Sequence, residues 1–132
     1  MRIIGPVLDA ADPVALARFY ERLLGWPMVE CEGPRPGYPP ADGWAKLRSP
    51  SEDFKIEFQW EEHYTRPSWP PTGQPGEQQM MIHLDIEADD LDDAVAWAIE
   101  AGATLADHQP QEGVRVMLDP AGHPFCLFAG LP

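Results

Sequence analysis

Gln79-Met80-Met81-Ile82-His83-Leu84-Asp85-Ile86, followed at once by Glu87-Ala88-Asp89-Asp90-Leu91, is the stretch from which the fold can be read. Its first eight residues alternate. Ile82, Leu84 and Ile86 fall on one face of an extended chain and Met81, His83 and Asp85 on the other, the period of two that marks a strand with different surroundings on its two sides. An imidazole and a carboxylate therefore share the less apolar face. Behind the strand, Asp89 or Asp90 is suited to cap a helix, because its side chain can accept from backbone N–H groups that a first turn leaves unpaired. Leu91, Ala94, Val95 and Ala98 then recur at helical spacing as far as Gly102, a helix stop.

The same order of signals occurs earlier in the chain. Ile3 to Leu8 is a short apolar strand, with Gly5 and Pro6 placing it at an edge or a bulge. Asp12 caps a helix whose first residue is Pro13, where a missing N–H costs nothing. Leu16, Phe19, Tyr20, Leu23 and Leu24 form its apolar stripe, and Gly25 ends it. Strands are expected over Pro27–Glu32, Gly43–Arg48 and Phe54–Glu61, and in the second half over Ala103–Ala106, Val114–Leu118 and Pro124–Phe128. In the strand after Phe54, Ile56, Phe58 and Trp60 share one face while Lys55, Glu57 and Gln59 share the other. Asp119-Pro120-Ala121-Gly122 is a turn, and Gly33 to Pro40 a loop.

Each half thus runs strand, capped helix and three strands. Asp12 corresponds to Asp90 at an offset of 78, Gly25 to Gly102 at 77 and Pro50 to Pro120 at 70. A repeat of this kind fixes the architecture. Modules so small cannot each bury a core alone. The expectation is one α+β domain over 1–132, with two βαβββ modules forming a curved mixed sheet, helices on its outer face and a ligand groove on its inner face. Module one covers about 1–62, a linker 63–78 and module two about 79–130. Pro67, Pro70, Pro71 and Pro75 exclude regular structure from the linker. Its Tyr64 and Trp69 are expected to pack against a neighbouring subunit or the rim of a cavity.

Composition narrows the function. With 132 residues and 44% hydrophobic content the chain suits one core. A net charge of −13 argues against nucleic acid, whose phosphates need clustered Lys and Arg. No apolar run is long enough to span a membrane, and the first residues lack a secretory pattern, so a soluble cytoplasmic protein is expected. Cys31 and Cys126 are read as two reduced, mostly buried thiols.

The chain resembles the vicinal oxygen chelate superfamily of glyoxalase I, bleomycin-resistance proteins and extradiol dioxygenases, in particular its small glyoxalase-like proteins. The resemblance is carried by Asp12-Pro13 through Arg18-Phe19-Tyr20 and Leu23-Leu24-Gly25-Trp26, by Ile56-Glu57-Phe58, by His83-Leu84-Asp85-Ile86 with Asp89-Asp90-Leu91, and by Asp119-Pro120-Ala121-Gly122-His123-Pro124-Phe125-Cys126. It implies a groove in which a divalent ion is held from the first and last strands of each module. The matching positions are Gly5, Glu57, His83 and Cys126. Gly5 has no side chain to offer, so the metal set reduces to Glu57, His83 and Cys126; without a metal, Glu57 hydrogen-bonded to His83 is the candidate catalytic base.

The resemblance further implies either one divalent ion, zinc, nickel or manganese, or none. It implies a small-molecule ligand, a homodimer, and no membrane or nucleic-acid partner. With a metal, lyase or isomerase chemistry of glyoxalase type is expected. Oxygen chemistry is disfavoured, since a two-histidine, one-carboxylate site would need a His at Gly5 and a carboxylate at Cys126. Without chemistry, the alternative is a sequestering protein of the bleomycin-resistance kind, whose acidic, Trp-bearing groove would suit a cationic aromatic molecule. Trp44, Trp60 and Trp69 are candidates for a pocket wall or dimer seam, with core packing the commoner use. His63, His108 and His123 are expected to be solvated.

Overall fold

Both helices begin where the sequence caps them. Asp12 accepts from the Ala15 N–H at 3.1 Å and starts α1 (Pro13–Leu24), which ends at Gly25 in the left-handed region at φ 67°. Asp90 accepts from the Asp93 N–H at 2.9 Å and starts α2 (Leu91–Ala101), which ends at Gly102. The computed structural model describes residues 1–130, and these fall into two compact units, Met1–Tyr64 and a second that begins at Thr65. Each carries the βαβββ order expected of an α+β protein. Among the described residues no helix is long and apolar enough to cross a membrane.

In the first unit, β1 (Val7–Ala10), β2 (Met28–Glu32), β3 (Trp44–Arg48) and β4 (Lys55–Trp60) form a mixed sheet of order β1-β4-β3-β2. Strand β1 runs parallel to β4, and β4 antiparallel to β3. One face packs against α1. Leu16, Phe19 and Tyr20 of the helix are buried with Ala45, Leu47, Ile56 and Phe58 of the sheet. Tyr20 stacks on Phe58 with ring centroids 5.7 Å apart. Burying an aromatic side chain of this kind contributes about 1.5–3 kcal/mol. The other face carries Lys55, Glu57 and Gln59, as alternation requires.

Strand β1 starts at Val7 rather than Ile3, and the cause lies at Gly5. That residue has φ 139°, and a Cβ placed on it would lie 1.7 Å from the Lys55 carbonyl oxygen. The chain still pairs there, with the Lys55 N–H donating to Ile4 O at 2.8 Å and the Glu57 N–H to Pro6 O at 3.1 Å. The result is an irregular entry, the bulge-like start that Gly and Pro permit.

In the second unit, β5 (Leu84–Ala88), β6 (Thr104–Leu105), β7 (Val114–Leu118) and β8 (Pro124–Ala129) repeat the plan in the order β5-β8-β7-β6. Strand β5 is parallel to β8, with Leu84 opposite Phe125 and Asp85 opposite Cys126. Helix α2 packs on the face that holds Met117, Phe125 and Leu127. The strand expected from Gln79 begins only at Leu84, so His83 stands one residue ahead of it. Met81 and Ile82 are 81% and 83% exposed, although Ile82 was expected on the apolar face.

Two other expectations are corrected. His123 is not solvated: its Nδ1 lies 2.8 Å from Oδ2 of Asp119, whose side chain is fully buried and also accepts from the Ala121 and His123 N–H groups. The turn closes around a buried carboxylate, which needs those donors to offset its lost hydration. Cys31 is exposed rather than buried.

The proline-rich segment from Thr65 belongs to the second unit. The Ser68 N–H donates to Gln78 O at 2.7 Å, Arg66 Nη1 to Pro120 O at 2.8 Å, and the Trp69 indole N–H to His108 O at 3.2 Å. It is a strap tied by hydrogen bonds, in which the prolines exclude helix and the Trp69 body is half-buried.

Candidate functional site

Parallel pairing of β5 with β8 builds the site. Because Asp85 lies opposite Cys126, their side chains emerge side by side on the sheet face that α2 does not cover. His83, two residues ahead of Asp85, reaches the same place, and its Nε2 lies 3.1 Å from Asp85 Oδ1. Each of the three offers one ligand atom, and these atoms all lie within 4.8 Å of one another. Asp85 and His83 are exposed, while Cys126 is half-buried. Burial pushes the Cys126 thiol up, and the nearby Asp85 charge adds to the effect. A thiol raised in this way is a poor nucleophile at neutral pH. The same negative surroundings favour a cation.

The donor set fits a divalent ion. An imidazole nitrogen, a carboxylate oxygen and a thiolate sulfur are all zinc ligands, and three protein donors leave a fourth position for water or a ligand. The sulfur makes the set softer than one of oxygen and nitrogen alone, favouring zinc over manganese.

Next to these donors is a cavity of about 140 Å³, with His83 and Cys126 in its wall. The rest of the lining includes Met80, Val114, Val116, Pro124 and Trp69. Val114 and Val116 face it because β7 alternates, sending Met117 to the helix side. Trp69 comes from the strap. Its ring sits 5.8 Å from that of His108, so His108, although exposed, helps hold the wall.

Glu57 lies in the first unit, on β4, and meets cations of its own chain. Lys55 Nζ lies 2.6 Å from Glu57 Oε1 and Lys46 Nζ 3.5 Å from the same oxygen. Lys46 also donates to Glu30 at 2.9 Å, a bond that chiefly raises its pKa. The Lys55 side chain is buried, so this pair is shielded from water and removing one partner would leave a costly charge behind. Of the expected metal residues, the structure gathers His83 and Cys126 in the second unit, together with Asp85, which was not among them. The alternation of the strand had put Asp85 on the His83 face, and the register with Cys126 completes the set. Trp44 and Trp60, both half-buried, sit in the first unit against Lys46 and Tyr38 respectively.

The profile of the glyoxalase-like domain family matches residues 6–128, and the chain belongs to that family. No curated protein matches it. Among solved structures, it resembles a glyoxalase/bleomycin resistance protein/dioxygenase family enzyme from Burkholderia phytofirmans at 21% identity, covering 97% of this chain and 98% of that one with a TM-score of 0.65. A glyoxalase family protein from Enterococcus faecalis is similar at 20% identity, 96% coverage of both chains and a TM-score of 0.67. A mutant of the fosfomycin resistance protein FosX from Listeria monocytogenes, in complex with Mn(II) and 1S,2S-dihydroxypropylphosphonic acid, matches at 13% identity with a TM-score of 0.66, covering 98% of this chain and 90% of that one. At these identities the likeness shows the fold.

Proposed function

We propose that this glyoxalase-like domain binds a small organic molecule on the open sheet face of its second unit, with a divalent ion held by His83, Asp85 and Cys126. The carrying observation is that three metal-competent donors meet at the wall of a largely apolar cavity. A bound ion would polarise a ligand oxygen as a Lewis acid, the basis of lyase or isomerase chemistry. The chain's own residues do the rest. Asp85 and Cys126 supply negative charge, His83 supplies a neutral donor, and the cavity strips water from the ligand's apolar part. The FosX relative that holds manganese and a small phosphonic acid supports this reading for the family.

In this proposal Asp85 takes the carboxylate role that the resemblance gives to Glu57. Glu57 stays in its ion pairs with Lys55 and Lys46, where Oε1 is already shared by two ammonium groups. The test is metal analysis of the isolated protein and calorimetric titration of the chelator-treated protein with zinc. One zinc per chain, lost in His83→Ala, supports the site; protein that takes up no zinc, nickel or manganese overturns it.

Sequestration without chemistry is the second reading. It is favoured by the raised thiol and by the mostly apolar cavity lining, which holds no carboxylate among the described residues. Recovery of a bound ligand chemically unchanged after long incubation would select it. We also propose a homodimer, since Ile3 in one unit and Met81 and Ile82 in the other are left 91%, 81% and 83% exposed next to the first strands. A monomer in light scattering would refute that. The free Cys31 and Cys126 thiols suit a reducing, cytoplasmic compartment.

A further inference from the structure

We infer that the open sheet face of the second unit takes organic cations, the ammonium group against Asp85 and Glu87 and the apolar body on β7 and β8, and disfavours anions of the same shape. This names the ligand class of the site proposed above and rests on that reading for where the ligand lies, though not for the metal. Laid over each other by register, the two sheets differ in the charge of this face. Lys46 stands opposite Glu57 and Arg48 opposite Lys55 across β3 and β4, where Val116 stands opposite Cys126 and Leu118 opposite Pro124 across β7 and β8. Each basic residue of the first open face thus has an apolar counterpart in the second. The entry strands differ in the other direction. Val7 opposite Glu57 is matched by Asp85 opposite Cys126, and Asp9 opposite Gln59 by Glu87 opposite Phe128.

The first face balances its own charge. Lys46 and Lys55 both meet Glu57, Lys46 also meets Glu30, and Gln59 donates to Asp9. On the second face no Lys or Arg stands on the sheet among the described residues, because the basic residues of that unit, Arg66 and Arg115, are used elsewhere. Arg66 donates to Pro120 O and packs on Gly122, and Arg115, which alternation sends to the α2 side, donates to Val114 O. What is left is an acidic edge beside an apolar floor. Strand β5 is outermost in its sheet, and Asp85 and Glu87, two residues apart on one face, lie roughly 7 Å from each other along it, within reach of one ammonium group. The Asp85 side chain is 64% exposed and Glu87 is exposed, so both carboxylates meet a ligand as hydrated charges. Val114, Val116, Leu118, Pro124 and Phe128 make the floor, on which an alkyl chain leaves water. A negative group in place of the ammonium would be repelled by both carboxylates.

Hexyltrimethylammonium, 1-hexanol and hexanoate share one alkyl chain and differ in charge. Each is titrated into the full chain, stripped of metal by chelator, in low salt, following the Val114, Val116 and Leu118 methyl groups and the Asp85 and Glu87 backbone N–H groups by NMR. Saturable shifts at these residues are expected, with the cation binding roughly fivefold more tightly than the alcohol, the scale of two exposed ion pairs, and hexanoate more weakly than either. The three should converge at about 0.5 M NaCl, where exposed charges are screened. The Asp85→Asn, Glu87→Gln double variant, altered at exposed positions, should bind the cation and the alcohol alike. Hexanoate binding as tightly as the cation, a preference that survives in the double variant, or no shift at these residues at millimolar ligand overturns the inference. Calorimetry with zinc on the same protein separates the two readings. A cation preference in protein that takes up no zinc refutes the metal and leaves the ligand class standing, whereas zinc uptake without a cation preference does the reverse.

Discussion

Gly5→Ala is the substitution with the most direct consequence for the first unit. The added Cβ would lie 1.7 Å from the Lys55 carbonyl oxygen, and real Cβ contacts do not fall below 3.0 Å, so the strands must separate by at least 1.3 Å. Two hydrogen bonds flank the collision, from the Lys55 N–H to Ile4 O and from the Glu57 N–H to Pro6 O. Their loss costs about 0.5–1.5 kcal/mol each. A side chain at φ 139° adds about 1–3 kcal/mol of backbone strain. The sum is about 2–6 kcal/mol, a large part of the ~5–15 kcal/mol by which a typical domain is stable. Gly25→Ala is the internal control, because φ is 67° there and nothing lies within 4 Å of the added carbon. It should lose only about 1–2 kcal/mol. Urea melts of the three proteins at one pH give the comparison, and with a slope of ~2 kcal/mol/M the Gly5→Ala midpoint should fall by about 1–3 M. A Gly5→Ala midpoint no lower than that of Gly25→Ala would refute the close packing of β4 against residue 5. It would also reopen position 5 to a metal-binding side chain, which the present geometry forbids.

Asp85→Asn should weaken zinc binding on the order of 100-fold. Structural zinc sites release roughly 10–16 kcal/mol over four donors, or about 3 kcal/mol for one, and ~1.4 kcal/mol is tenfold. Glu57→Gln should leave zinc affinity within about twofold; equal losses in competition titrations would return Glu57 to the metal set. His123→Ala leaves the buried Asp119 short of a partner and should cost about 1–3 kcal/mol, seen as a melting temperature lower by about 5–10 °C, whereas His63→Ala, at an exposed residue, should change little. The Asp42 carboxyl is held below its ordinary range chiefly by hydrogen bonds from the Arg35 side chain and N–H. A depressed folded value means that this stabilisation is complete above the unfolded pKa of about 3.9 and is lost as pH falls through the folded one. Wild type should therefore exceed Asp42→Asn in urea midpoint at pH 7, with the gap closing below about pH 4; a gap independent of pH would contradict the pairing.

How far the sequence could be read depended on the range of the interactions involved. Asp12, Pro13, Gly25, Asp90 and Gly102 act within a turn of their own positions, and both helices run as those residues predict. The starts of β1 and β5 were misplaced because they depend on the partner strand. Gly5 is bent by Lys55, fifty residues away, and β5 pairs with β8 only from Leu84. Asp85 shows how a site can be half visible. Its place on the His83 face followed from alternation, but its contact with Cys126 required the register of a parallel pair, which no local pattern encodes. Trp69 was recognised as an aromatic needing a partner, while the His108 carbonyl that anchors it lies too far along the chain to be inferred. The burial of Asp119 was hidden for another reason. Asp-Pro-Ala-Gly reads as a solvent-facing turn, and only the folded turn shows the Ala121 N–H, the His123 N–H and the His123 ring nitrogen closing over its carboxylate.

The two modules show what duplication does to a site when each copy is free to change. In the first, the position on the entry strand is a glycine with no room for a side chain, and the carboxylate on β4 is met by two ammonium groups of the same unit. In the second, the corresponding entry residue is His83 and the last strand offers Cys126, with Asp85 between them in reach of both. A carboxylate surrounded by low-dielectric protein must find positive charge or extra hydrogen bonds. Glu57 finds it in Lys55, whose amine is covalently tethered and cannot leave. Asp85, 64% exposed, keeps its hydration beside an imidazole and a thiol, so a cation from solution can join it. A cation that arrives from solution can also leave an open position for a ligand, which a tethered ammonium cannot, and this is the physical reason for placing the chemistry in the second module.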